Sequence, residues 1–268
     1  MHGPSSMAAR AALRVAGAGH TVYAAAAAGL GVLLLSGEIV YVWAPVPLWV
    51  PWRSGLAFAA GGLMLASALL LSWRKTTVPA SATLALLFLS WLLLLQVPRI
   101  IATPSKELLW SGGSQLASLV AGGWLQFASR ASPTGGAGRW FGGERGATMA
   151  RSLYALALPL FGLHHFHDIA GAAEAVPAWL PFRLGWASVT GAAHVAAGVA
   201  ILLRIVPRLA ATLEAIMISA FVLLVHVPGV MNAPRDRLQW TMFVVASAIG
   251  GAAWIVARSY SRDTHRDR

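Results

Sequence analysis

Long apolar runs recur along the chain, separated by short segments of proline, arginine and glycine. The runs fall near residues 20–43, 54–73, 78–97, 108–127, 152–171, 184–203, 209–227 and 238–257. Each approaches the roughly 20 apolar residues that a helix needs to cross a hydrocarbon core ~30 Å thick at ~1.5 Å rise per residue. The breaks carry turn chemistry or charge: Pro45, Pro47 and Pro51, then Arg74 with Lys75, then Pro98 and Pro104. Further on come Pro177 and Pro181, Pro207 with Arg208, and Pro228 and Pro234. The pattern predicts an all-α membrane protein with eight transmembrane helices. The first run follows Arg10 and Arg14 and is rich in alanine, as a signal peptide is. Its counterpart in the second half is an internal helix, so it is read as a retained span.

The runs are not independent of one another. Shifting the chain against itself by 177 − 47 = 130 residues pairs PLWVPWRSG from Pro47 with PAWLPFRLG from Pro177. The same register pairs Gly61 with Gly191, Arg74 with Arg204, Val97-Pro98 with Val227-Pro228 and Pro104 with Pro234. It also pairs Leu108 with Leu238, Trp110 with Trp240, Trp124 with Trp254, and the acids Glu38 and Asp168. Unrelated apolar segments share Leu and Ala, but not Pro, Trp, Arg and Gly in one frame. The expected architecture is therefore two tandem four-helix bundles. Because four is even, both insert the same way up, related by a pseudo-two-fold axis along the membrane normal. The expected divisions are a first repeat over 1–128, a Gly-rich, flexible cytoplasmic linker over 129–150, a second repeat over 151–260 and a basic tail over 261–268.

Composition agrees with a membrane location: 57% of residues are hydrophobic and 11% charged, with a mean hydropathy of +0.67. The net charge of +11 changes the picture by its distribution. The basic residues lie scattered between apolar runs and form no continuous stripe with interleaved aromatics, so a nucleic-acid partner is not expected. Placing both termini in the cytoplasm puts Arg10, Arg14, Arg74, Lys75, Arg130, Arg139, Arg145, Arg151, Arg204, Arg208, Arg258, Arg262, Arg266 and Arg268 inside. Arg53, Arg99, Lys106, Arg183, Arg235 and Arg237 are left outside, as the positive-inside bias requires. A bacterial-type cytoplasmic (inner) membrane follows, with the lipid bilayer as principal partner and the tail anchored near anionic lipid. The absence of cysteine removes disulfides, thiolate metal sites and thiol relays in this chain. Gly29, Gly31, Gly61, Gly62, Gly112, Gly113, Gly122, Gly123, Gly191, Gly198, Gly250 and Gly251 supply close helix contacts. Trp43, Trp49, Trp52, Trp110, Trp179, Trp186 and Trp240 fit an aromatic belt at the outer ends.

The second half resembles the DoxX-like family of small four-helix membrane proteins. The resemblance is carried by FGLHHFHDIAG, VPAWLPFRLGWASVTGAAHVAAGVAILL, RLAATLEAIMISAFVLLVHVPGVM and the last helix after NAPRDRLQW, over about 154–257. The first half looks like a divergent copy. The resemblance implies a four-helix bundle and, for some members, association with membrane or peripheral oxidoreductases, including a thiosulfate:quinone oxidoreductase subunit. Other members look like cargo receptors or assembly factors. No catalytic motif common to the family carries over.

The halves differ in their histidines. His164, His165 and His167 lie on the first helix of the second half, His194 on its second and His226 on its third. The first half has Leu34, Leu35, Gly37, Met64 and Gln96 in those registers. His164, His167 and Asp168 share a helix face. The five imidazoles are the candidate cofactor- or metal-binding set, with Asp168 as the carboxylate behind them. The chemistry suits a transition metal, haem, or proton exchange with a bound quinone. The plain alternative is interhelical hydrogen bonding. Glu214 replaces Leu84 of the first half and, if buried, needs Arg204, Arg208 or a histidine as partner. Two functions follow: an accessory, redox-associated subunit, or a non-catalytic lipid-, cargo- or assembly-binding protein. A transporter ranks third, because the asymmetric histidines leave no symmetric midplane site. The first half is expected to act mainly as packing partner.

Overall fold

A computed structural model describes residues 5–36, 50–132 and 136–263, and their side chains except those of 5–17, 137 and 261–263. Glu38, Trp43, Pro45, Pro47, Trp49 and residues 264–268 of the tail lie outside the described residues. The described residues form helices and no strand. In chain order these are α1 (Ser5–Leu34), α2 (Arg53–Leu70), α3 (Thr77–Ala102), α4 (Glu107–Ala128) and α5 (Gly136–Phe141). They continue with α6 (Gly143–His167), α7 (Ile169–Ala175), α8 (Arg183–Leu202), α9 (Pro207–Asn232) and α10 (Arg237–Asp263).

Among the described residues, five helices are long and apolar enough to cross a membrane: α2, α3, α8, α9 and residues 237–260 of α10. The apolar part of α1, Ala18–Leu34, is shorter. In α4 and α6, small and polar residues dilute the apolar signal. Ser111, Gly112, Gly113, Ser114, Ser118, Gly122 and Gly123 of α4 are all buried, and α6 carries Glu144, Arg151 and three histidines. Lipid-facing helices must be apolar all along, whereas interior helices need small residues for close approach. Burial follows that division. Only 28% of the apolar window is buried in α2, α8 and α9, against 78% in α10. Leu56, Leu63, Leu86, Leu94, Leu213 and Leu223 are among the residues left on the outward faces, as expected of surfaces solvated by lipid tails.

The offset of 130 residues recurs in the elements: 183 − 53, 207 − 77 and 237 − 107 give it for the starts of α8, α9 and α10 over those of α2, α3 and α4. A widened π-turn interrupts α3 at Leu92–Gln96 and α9 at Val222–His226. Each precedes a Val-Pro pair, where the proline ring lacks an N–H and crowds the carbonyl four residues back, so the turn opens. Trp52 and Phe182 both enter the next helix with positive φ, 64° and 57°. The indoles of Trp110 and Trp240 donate to Pro104 O and Pro234 O, each at 2.9 Å.

The helices do not close into two separate bundles. α1 packs along α10 and α2, and α6 packs along α4 and α8; α3 lies on α4, α9 on α10 and α8, and α4 meets α10 across the middle. The first helix of each half thus lies against the last helix of the other. Tyr23 marks the crossing: it is fully buried and its hydroxyl donates to Leu119 O at 2.6 Å. A Cβ added to Gly122 would meet the Tyr23 ring at 2.8 Å, and one added to Gly251 would meet the Tyr23 backbone at 2.6 Å.

The expected flexible linker is largely helical where described. α5 occupies 136–141 and α6 starts at Gly143, eight residues before the expected boundary at 151. Trp124 anchors α5, donating its indole N–H to Phe141 O at 2.9 Å. At the other end α10 runs on to Asp263, past the expected start of the tail at 261.

Candidate functional site: a buried histidine–carboxylate file

The three histidines of α6 sit in its last turn, where the backbone carbonyls carry partial negative charge that suits protonatable imidazoles. Glycine brings α6 close to α8. A Cβ on Gly162 would clash with Gly191 O, and one on Gly191 would lie 2.9 Å from His165 Cβ. One turn earlier, Pro159 leaves Ala155 O without its helical donor, and Gly198 of α8 comes against that carbonyl. This close approach sets His194 of α8 beside His165, with ring centroids 5.3 Å apart.

His194 is buried. Its Nδ1 lies 2.7 Å from Glu214 Oε1 on α9, with 4% of the histidine side chain and none of the glutamate exposed. Among the partners the sequence allows Glu214, the structure selects the histidine over Arg204 and Arg208. The second carboxylate oxygen, Glu214 Oε2, is buried without a hydrogen-bond partner, and so is the Tyr154 hydroxyl of α6. The two groups interact electrostatically. Phe161 and Phe221 flank His194 at 5.7 and 6.2 Å between centroids, and Phe221 stacks on His165 at 6.4 Å.

His165 Nδ1 lies 2.8 Å from Phe161 O. A carbonyl only accepts, so this nitrogen carries the proton and Nε2 is left with its lone pair. The His164 ring is 6.4 Å from that of His165, and its Nδ1 is 2.7 Å from Glu107 Oε1, the first residue of α4. That end is more open, with 34% of the His164 side chain and 19% of Glu107 exposed.

Of the five candidate histidines, the structure gathers His164, His165 and His194. His167 is exposed, and no hydrogen bond or ring contact among the described residues joins His226, in the π-turn of α9, to the others. Asp168 does not back a histidine. Its carboxylate caps α7, accepting from Gly171 N at 3.1 Å, because the first N–H groups of a helix lack partners. The carboxylates beside imidazoles are Glu107 and Glu214. Sequence reasoning missed Glu107 and Tyr154 as site residues. Glu107 carries no local signal, since its partner lies 57 residues away. Tyr154 differs from Ala24 at the equivalent position, which is the kind of asymmetry that singled out the histidines.

Among the described residues no group of three or more His, Cys, Asp or Glu is arranged to hold a metal ion. Nor does a haem fit between His165 and His194. The rings of His165 and His194 are too close together, with Phe161 and Phe221 beside them, for a porphyrin plane to lie between. At the open end, His164 offers an N–H on Nε2 to a carbonyl oxygen when Glu107, in its acid form, donates to its Nδ1.

Fold and site together define a class: a chain whose described residues are helical, with five apolar helices among them compatible with a multi-pass membrane protein, and with a polar file whose inner end, His194 and Glu214, is buried in the second half. Over residues 154–250 the chain is similar to a family described as a domain of unknown function, DUF8561. That stretch contains His164, His165, His167, His194, His226 and Glu214. No curated protein and no solved structure matches the chain.

Proposed function

We propose that the chain is an eight-span protein of a bacterial-type cytoplasmic membrane, with both termini in the cytoplasm. In this reading it is a DoxX-like four-helix unit in tandem duplicate, acting as an accessory subunit beside a membrane or peripheral oxidoreductase. The recurrence of helix starts, π-turns and left-handed entry residues at one offset supports the duplication. The packing of each first helix on the last helix of the other half is compatible with a pseudo-two-fold axis along the membrane normal, relating residues 1–128 to 151–260.

The observation that carries the functional reading is the His194–Glu214 pair. A buried ion or hydrogen-bonded pair costs desolvation that apolar side chains avoid, and the first half has Met64 and Leu84 at these positions. The second half thus holds polar groups that the scaffold does not require, and intramembrane ionisable residues default to functional suspicion. A quinone bound at the open His164 end would supply redox chemistry. The chain's own contribution is to hold imidazole and carboxylate protons at fixed positions. The test is purification in mild detergent followed by quinone extraction and a visible spectrum. Co-purifying quinone that is lost in His164→Ala and His165→Phe supports the reading. A quinone-free preparation with no oxidoreductase partner after gentle crosslinking overturns it.

The second reading, a non-catalytic lipid-, cargo- or assembly-binding protein, is favoured by the interhelical pairing of His164 with Glu107 and of His194 with Glu214, which gives those imidazoles a structural role. It predicts that replacing all five histidines with Leu, Asn or Gln leaves function intact.

A further inference from the structure

The geometry points to a proton path from the open end of the bundle to a buried carboxylate, running Glu107, His164, His165, His194, Glu214. It rests on the reading of the second half as a membrane-embedded polar site and names the species that site handles.

The two ends of the path are hydrogen-bonded pairs, each 2.7 Å long, and proton transfer occurs readily at such separations. Between them lie the His164–His165 and His165–His194 intervals, 6.4 and 5.3 Å between ring centroids. Ring rotation or a single water molecule spans such gaps. His165 interacts electrostatically with His164, His194 and Glu214. The remaining titratable group at Glu214 is Tyr154 of α6. α10, the other helix packed on α9, meets it through Trp254, whose indole donates to Ser219 Oγ at 3.1 Å.

Each transfer balances. Glu107 in its acid form gives its proton to His164 Nδ1, and the imidazolium releases the one on Nε2 to His165 Nε2. His165 keeps its Nδ1 proton, held on Phe161 O at rest, so it accepts and releases on Nε2 alone and breaks that hydrogen bond whenever it turns between neighbours. His194 accepts on Nε2 and releases from Nδ1 to Glu214 Oε1. One proton moves inward, Glu107 is recharged from water, and Glu214 becomes a neutral acid. The neutral acid then has a hydroxyl to offer, and two buried oxygens, Glu214 Oε2 and Tyr154 Oη, stand without partners at that end. Neutralisation also removes the cost of a buried carboxylate. The path ends inside the molecule, so it loads a buried site and does not shunt protons across the membrane.

The test uses full-length protein in liposomes of neutral phospholipid and infrared difference spectroscopy after a rapid drop in pH. The carboxylic-acid C=O band of Glu214 is assigned by its loss in Glu214→Gln. Wild-type protein should develop the band. Glu107→Gln, His164→Ala and His165→Phe should each slow its growth by about 10-fold or more at unchanged final amplitude. Imidazole added outside should restore the rate in His164→Ala. A band absent from wild-type protein, growth at the wild-type rate in the three variants, or a lowered amplitude without slowing overturns the path. These rates are independent of quinone content and of partner capture, so the path and the redox reading fail separately.

Discussion

His164 and Glu107 are 57 residues apart and belong to opposite halves of the chain, yet the imidazole Nδ1 lies 2.7 Å from the carboxylate. The contact has a counterpart by the same offset. Arg237, 130 residues after Glu107, donates to Leu33 O at 2.6 Å and to Ser36 Oγ in the other half. The start of each last helix thus grips the end of the opposite first helix, and in one of the two places the grip has become an acid–imidazole pair. The first half is therefore more than a packing partner: it supplies Glu107 to the candidate site.

Removing one member of the buried pair should be costly, and removing both should not. His194→Met leaves Glu214 buried without its partner and should lower stability by about 3–5 kcal/mol. The double variant His194→Met/Glu214→Leu installs the residues found at positions 64 and 84, and should recover most of that loss. Thermal unfolding in detergent checks both. A double variant no more stable than the single one would show that the pair is required for packing.

Glycine substitutions should sort by what faces them. Gly62 has nothing within 4 Å of an added Cβ, so Gly62→Ala should be neutral or stabilise by up to about 1 kcal/mol through helix propensity. Gly162→Ala places a methyl against Gly191 O, separates α6 from α8 and should cost about 1–3 kcal/mol. The same unfolding measurement compares them.

Tyr23→Phe should cost about 1–2 kcal/mol, because Leu119 O loses a buried donor. The effect should fall on global unfolding, since Tyr23 touches α1, α4 and α10 together. Hydrogen exchange confined to α1 would count against this prediction.

The absence of cysteine makes topology directly readable. Lys75→Cys and Lys106→Cys each introduce a unique thiol at opposite ends of α3 and the turn after it. A membrane-impermeant thiol reagent on intact cells should label Lys106→Cys and spare Lys75→Cys. Equal labelling of both would overturn the proposed orientation.

Much of the fold was legible in local pattern. The helix breaks at Pro98 and Pro228 and the pairing of Pro104 with Pro234 reappear as π-turns and as matching tryptophan anchors, because proline acts within one turn of itself. The helices within 129–150 left no mark in that pattern, because Gly136–Phe141 and Gly143–Ala150 carry no apolar period. Their helices are held by Trp124 and by Arg151, whose guanidinium binds Glu144 Oε1 at 2.6 Å and Ser259 Oγ at 2.8 Å. The eight apolar runs were visible, but α4 and α6, 22 and 25 residues long, lack the composition of a free-standing span, because small and polar residues dilute their apolar signal.

The sequence by itself determined the helical class, the offset of 130 and the asymmetry that marks the second half, since periodicity and register are properties of neighbouring residues. The tertiary structure decided which helices lie together and which polar groups meet. It turned Asp168 to a helix cap, left His167 exposed, set His226 apart, and drew Glu107 and Glu214 to the three remaining histidines. Those outcomes depend on helix-to-helix distances set by Gly162, Gly191 and Gly198 and on the packing of each first helix against the last helix of the other half. Pairings between residues far apart in the chain leave no trace in its local pattern.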